Sequence, residues 1–214
     1  WGTASRIQNI AGIQNVPLGG NKTMRHFDNP SMTVNQQTGE IYIVWVNLGV
    51  PEGAIGEPDI YMIKSDDEGD TWGTPVRVNQ DAINNGKDQW MTWIACDEIS
   101  NALVVVYYDS RDFTNNDGAN TYVSISYDDG NTWSDFLISD EGWDGDGYGG
   151  GYGNYAGDYI GVDVYHGFAV PVWSDRRSSA GGEFWAYTNP FEVPCPQDLN
   201  LIYGNYDIYD QGSF

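Results

Sequence analysis

The sequence predicts an all-β protein built from repeated antiparallel sheets, and three observations support this prediction. The 214-residue chain is 14% aromatic and has 27 glycines, so its β-forming runs are short and separated by turn residues. No long segment shows a helical period. One octapeptide pattern, S-x-D-x-G-x-T-W, occurs twice between predicted strands, at Ser65–Trp72 and Ser126–Trp133. Such a repeat indicates a structural unit that is stacked more than once.

Each octapeptide is predicted to form a hairpin turn. Its glycine supplies a positive φ angle, its Asp, Ser and Thr side chains bond local backbone donors, and its tryptophan buries a large area. The residues with these structural roles are Ser65, Asp67, Gly69, Thr71 and Trp72 in the first copy and Ser126, Asp128, Gly130, Thr132 and Trp133 in the second.

Four short strands accompany each octapeptide, which is the composition of a propeller blade. A third unit without an octapeptide follows the first two. The predicted blades are residues 24–79, 88–139 and 155–189.

The octapeptides resemble the Asp-box (BNR) repeats of the sialidase superfamily of β-propellers. This resemblance implies that the boxes are structural and lie at the periphery, away from the ligand. Trp1-Gly2-Thr3 aligns with Trp72-Gly73-Thr74, so residues 1–9 are expected to be the last strand of a preceding blade. The chain is then expected to be the C-terminal half of a propeller, six-bladed by the same resemblance, with the rest of that propeller upstream as a partner. Residues 190–214 are expected to be a Pro-rich exit segment or the start of another module.

The net charge of −22 disfavours nucleic acid and anionic membrane surfaces as partners. No apolar run is long enough to insert into a membrane. A secreted or cell-surface protein with a carbohydrate or protein ligand is the expectation that remains. Whether Cys96 and Cys195 pair or stay as thiols is left open.

The rim opposite the octapeptide turns carries the long connections of the predicted meander, and such loops commonly bind ligands. Aromatic faces there can stack on sugars, and arginines can hold carboxylates. The candidate ligand-binding residues are Arg111, Arg177, Asp109, Asp175, Asp158, Trp143, Tyr148, Tyr152 and Tyr155.

Two alternatives accompany these candidates. Asp109 with Arg111, and Asp175 with the arginines after it, are favoured as ion pairs that close each blade, because a propeller has a single active site. The Gly-rich loop over 141–159 is either a binding loop, with Asp144 and Asp146 as a Ca²⁺ alternative, or a linker without a ligand. No other cofactor is expected.

Three functions therefore stay open. The first is a non-catalytic module that binds glycan or protein. The second is an exo-sialidase-type glycoside hydrolase, for which the resemblance implies three arginines, a Tyr–Glu nucleophile pair and an Asp acid. No residues of this chain match the late Tyr and Glu motifs of that family. The third is a repeat scaffold for a neighbouring domain.

Overall fold

A computed structural model describes residues 3–13, 18–20, 22, 28–51, 56–144, 159–175 and 185–193. All regular elements within these ranges are β-strands, arranged in three antiparallel sheets. Over the same residues, no helix has the length and apolar character needed to cross a bilayer.

The first sheet contains β1 (Ser31–Val34), β2 (Ile41–Leu48), β3 (Pro58–Ser65) and β4 (Val76–Arg77), each antiparallel to the next. The second sheet repeats this order with β5 (Gln89–Cys96), β6 (Leu103–Asp109), β7 (Gly118–Ser126) and β8 (Ser134–Leu137). A short strand, β9 (Trp143–Asp144), also pairs with β7. The predicted four-strand meander is confirmed for both sheets.

The third sheet contains β10 (Gly161–Tyr165), β11 (Phe168–Asp175), β12 (Trp185–Thr188) and β13 (Phe191–Glu192). Both β12 and β13 pair with β11 in one continuous register, Thr188 opposite Val172 and Phe191 opposite Ala169. They form a single strand interrupted at Pro190, which has no N–H to donate. The expectation that the prolines end this unit at Asn189 is therefore wrong for Phe191 and Glu192.

A cross-strand aromatic pair occupies the same position in each sheet. Its ring centroids are 6.3 Å apart for Trp45–Tyr61, 6.5 Å for Tyr107–Tyr122 and 6.3 Å for Trp173–Tyr187. In each pair, the residue named first lies on the second strand of its sheet. Its partner lies directly opposite on the third strand. The three sheets are thus copies of one unit, including the sheet without an octapeptide.

The segment before the first sheet differs from its prediction. Residues 3–9 form no strand, so the expected strand over 1–9 is wrong for that part, and Trp1 and Gly2 lie outside the described residues. The segment instead contacts the end of β2. There the Leu48 N–H donates to the Ala11 carbonyl at 2.8 Å, and the Ala11 N–H donates to Asn47 Oδ1 at 2.9 Å.

Candidate ligand-binding site

The two octapeptides form hairpin turns, as predicted, between β3 and β4 and between β7 and β8. In the first turn, Asp67 Oδ1 accepts from the Thr71 N–H at 2.8 Å and from Ser65 Oγ at 2.9 Å, while Oδ2 accepts from Thr71 Oγ1 at 2.6 Å. These bonds, led by the Thr71 hydroxyl, hold the pKa of Asp67 below its usual value.

The second turn repeats the same bonds. Asp128 Oδ1 accepts from the Thr132 N–H at 2.8 Å and from Ser126 Oγ at 2.9 Å. Burial opposes ionisation of Asp128, but the bonds from Thr132 and Ser126 outweigh it and lower its pKa. Trp133 is buried, whereas Trp72 is only half-buried, so the expectation that both are largely buried is met by the second alone.

The opposite rim is where the first strand of every sheet begins. Strand β5 contacts both β1 and β10, so these three strands lie side by side. A cavity of about 250 Å³ opens at their beginnings. We call it the inner-strand cavity, and its lining residues are Asn29, Pro30, Met91, Thr92, Trp93, Tyr159 and Ile160.

Two aromatic side chains at this cavity are accessible. Trp93 is 42% exposed and Tyr159 is 71% exposed. The Asn29 amide adds a hydrogen-bonding group, and Thr92 Oγ1 is buried with no hydrogen-bond partner among the described residues. Open aromatic faces next to a few polar groups suit a ligand with apolar faces and hydroxyl groups, such as a sugar.

Arg111 and Asp109 lie elsewhere on this rim, at the end of β6 in the second sheet. Arg111 Nε donates to Asp109 Oδ2 at 2.8 Å, and Arg111 Nη1 lies 2.7 Å from Asp135 Oδ2. The guanidinium also stacks 4.3 Å from the Tyr122 ring centre. Because its bonds go to carboxylates of the protein, Arg111 has the geometry expected of a blade-closing ion pair.

A larger group of side chains surrounds this pair, and we call it the polar cluster. Gln89 Nε2 donates to Asp109 Oδ1 at 3.1 Å and to Asp81 Oδ2 at 3.2 Å. Arg77 bridges Asp59 and Asp81 at 2.7 Å each. The cluster comprises Asp59, Arg77, Asn79, Asp81, Gln89, Asp109, Arg111 and Asp135.

Four carboxyl groups thus face only two guanidiniums in the polar cluster. The side chain of Asp109 is 0% exposed. Burial raises the pKa of Asp109 to about 6, against the opposing effect of Arg111. Burial likewise raises the pKa of Asp59.

The prediction that Trp143 offers a face to a ligand is wrong. Its side chain is 3% exposed and packs edge-on against Tyr108, with ring centroids 5.6 Å apart. Pairing of β9 with β7, Trp143 opposite Ala119, carries the indole into the core. The remaining candidates Arg177, Asp158, Tyr148, Tyr152, Tyr155 and Asp146 lie outside the described residues, as do the side chains of Asp175 and Asp144.

No group of three or more His, Cys, Asp or Glu side chains in the described ranges is arranged to hold a metal ion. The Ca²⁺ alternative is not tested by this, because the side chain of Asp144 and the whole of Asp146 are not described. Cys96 is half-buried, and burial raises the pKa of its thiol to about 11. Cys195 is not among the described residues, so the question of a disulfide with Cys96 stays open.

Sequence reasoning missed the residues that line the inner-strand cavity. Trp93 belongs to a strand that is otherwise mostly buried, so its composition predicts a core position. Met91 has a φ of 48°, and no residue type near it indicates that conformation. Tyr159 belongs to the Gly-rich loop over 141–159 that the sequence offers as a binding loop, but nothing in the sequence places it beside Trp93.

No protein-family model matches the chain, and no curated protein matches it. Among solved structures, an α-L-arabinofuranosidase from Fusarium graminearum with an iminosugar inhibitor matches with a TM-score of 0.58 at 15% identity, over 89% of this chain and 50% of that chain. A mutant of that enzyme matches with a TM-score of 0.52 at 16% identity, over 76% of this chain and 45% of that chain. A Hadza microbial sialidase matches with a TM-score of 0.48 at 16% identity, over 78% of this chain and 33% of that chain.

The chain therefore spans between a third and a half of the length of these structures. At such identities the likeness shows the fold alone. The chain is all-β with antiparallel sheets, and the solved structures that it resembles are propeller-type glycosidases.

Proposed function

We propose that the chain belongs to a secreted or cell-surface, sialidase-like propeller and that its inner-strand cavity is a non-catalytic glycan-binding site. The observation that carries this proposal is the pair of accessible rings, Trp93 and Tyr159, at the mouth of a cavity formed by three neighbouring strands. A sugar ring stacks its C–H face on such a side chain while its hydroxyl groups bond nearby amides.

The two octapeptide turns support the proposal by their position. If they are Asp boxes, the ligand site lies away from them, and the inner-strand cavity is on the opposite rim. The net charge of −22 also agrees better with a neutral ligand than with an anionic one. Such a charge suits an exported protein that must stay soluble.

The third sheet supports the proposal that further blades complete the propeller. Val172 precedes Trp173 as Val106 precedes Tyr107, yet Val106 is fully buried and Val172 is 46% exposed. Phe168 and Val170 on the same face are exposed as well. In the first two sheets the equivalent face is covered by the next sheet. A further sheet of the same kind would bury this apolar face too.

A glycan array covering neutral and sialylated sugars tests the binding function, followed by calorimetry on the sugars retained. We expect Trp93→Ala to abolish detectable binding, because alanine has no aromatic face. Phe136→Ala is the matched control, since Phe136 is 50% exposed on β8 and does not line the cavity. Equal binding by both variants, or no binding by the wild-type chain, would remove the cavity as the site.

Hydrolysis is the competing outcome, because a matched structure is an α-L-arabinofuranosidase and the octapeptides resemble those of the sialidase superfamily. Chromogenic α-L-arabinofuranosides and sialosides, incubated with the wild-type chain and with Trp93→Ala, distinguish the two functions. We expect no turnover of either substrate by either protein. Turnover that disappears with Trp93 would make the cavity a catalytic site.

A further inference from the structure

Met91 has the least expected backbone conformation of any residue that lines the inner-strand cavity. Its φ of 48° is in the left-handed region, which an unbranched but bulky side chain rarely adopts within a strand. The β5–β6 ladder slips by one residue here, because Trp90 faces Tyr108, Thr92 faces Tyr107, and Met91 has no register partner. Met91 is thus the extra residue of a β-bulge, a device that re-aims a strand next to functional sites.

The bulge is held firmly on its upstream side. Gln89 is fully buried, and its amide bonds three side chains of the polar cluster: it accepts from Asn79 at 3.0 Å and donates to Asp109 and Asp81. Asn79 and Asp81 lie in the connection between β4 and β5, where Asn79 also accepts from the Ile60 N–H of β3, and Asp109 ends β6. The position of Gln89, two residues before Met91, is therefore set by these contacts.

The residue next to the bulge is held as well. Trp90 is fully buried, with Tyr108 5.8 Å away on one side and the Lys22 ammonium 5.5 Å from its ring centre. Lys22 is itself buried and paired with Asp88 at 2.9 Å. A backbone conformation in a sparsely populated region is unfavourable, so it persists only where the surroundings impose it. Here Gln89 and Trp90 impose it.

We propose that the Met91 bulge, anchored by Gln89, is the element that positions the ligand in the inner-strand cavity. The bulge is the strained part of the lining, and it lies directly before Thr92 and Trp93 in the chain. A rigid bulge holds the Trp93 ring in one orientation before the ligand arrives, so less ordering is needed on binding. This inference depends on the proposed glycan-binding function, because it assigns a role within the same cavity.

Two substitutions at Met91 distinguish the effect of its backbone conformation from the effect of its side chain. Both Met91→Ala and Met91→Gly remove the thioether, but only glycine relaxes the positive φ. We expect Met91→Gly to unfold at a temperature equal to or above that of Met91→Ala, because strain is released. We expect it to bind the array-selected sugar roughly three- to tenfold more weakly than Met91→Ala, because the cavity wall is no longer ordered.

Two further variants provide the controls. Asn101→Gly relaxes a φ of 62° in the β5–β6 turn at the other rim, and its affinity should equal that of the wild type. Gln89→Ala keeps the cavity lining but frees the bulge, and it should weaken binding as Met91→Gly does. Equal affinities for Met91→Ala and Met91→Gly would refute the positioning role while leaving the binding site intact. Failure of the wild-type chain to bind would instead refute the proposed function itself.

Discussion

Replacement of Arg111 by alanine is the sharpest test of the polar cluster. The substitution removes a guanidinium that contacts Asp109 at 2.7 Å and Asp135 at 2.7 Å and that stacks on Tyr122. Asp109 then loses its guanidinium partner, and its carboxyl group is left in a site where the side chain is 0% exposed. Breaking a buried ion pair on one side costs about 3–5 kcal/mol. For a chain of this size, that loss lowers the melting temperature by roughly 6–20 °C.

Urea unfolding at pH 7 measures this loss, with two controls. Arg6→Ala removes an exposed arginine and should change the free energy of unfolding by less than about 0.5 kcal/mol. The double variant Arg111→Ala with Asp109→Asn should recover part of the loss, because the buried carboxyl group without a guanidinium partner is gone. A cost below about 1 kcal/mol for Arg111→Ala would show that the ion pair does not close the second blade.

Three further predictions concern pH, the octapeptide turn and the third sheet. The folded pKa of Asp109 is raised to about 6 from 3.8, so its contribution to stability is complete below about pH 3.8 and is lost as the pH rises through 6. That difference amounts to about 3 kcal/mol, and Asp109→Asn should flatten this part of the pH profile in thermal melts. Asp128→Ala removes the acceptor of the second turn and should lower the free energy of unfolding by about 1–3 kcal/mol. Asp66→Ala, at an exposed position of the first turn, is the control and should not lower the free energy of unfolding by this amount. Val172→Glu should keep the melting temperature within about 2 °C of the wild-type value and should reduce binding of an apolar dye, because Val172 lies on the exposed apolar face of the third sheet. Unchanged dye fluorescence would contradict that assignment.

The octapeptide turns were predictable because every bond in them is local. Within eight residues the chain contains the Asp acceptor, the Ser and Thr donors, the glycine and the tryptophan. Positive φ values at Gly69 and Gly130 follow from the same pattern. The first two meanders follow in turn, since a hairpin of known position sets the direction of the strands on both sides.

The candidate site was predictable only in part, because burial is decided between elements. The sequence indicated the rim on which the inner-strand cavity opens, and it paired Asp109 with Arg111 two residues later. It could not show that Asp81 and Asp135, distant in the chain, share the same arginine. It also treated Trp143 as accessible and Trp93 as a strand residue like its neighbours, the reverse of their exposure.

What the sequence by itself determined is therefore the local chemistry: the all-β class, the two turns, the strand order of the repeated unit and the acidic surface. The tertiary structure alone decided which aromatic rings remain open. Trp143 is buried because β9 pairs with β7, and Trp93 is accessible because three first strands meet around a cavity. The Met91 bulge, too, was decided by the tertiary structure alone. The contacts of Gln89 with Asp81 and Asp109, both distant in the chain from Met91, hold its strained backbone, and no local preference of the chain favours it.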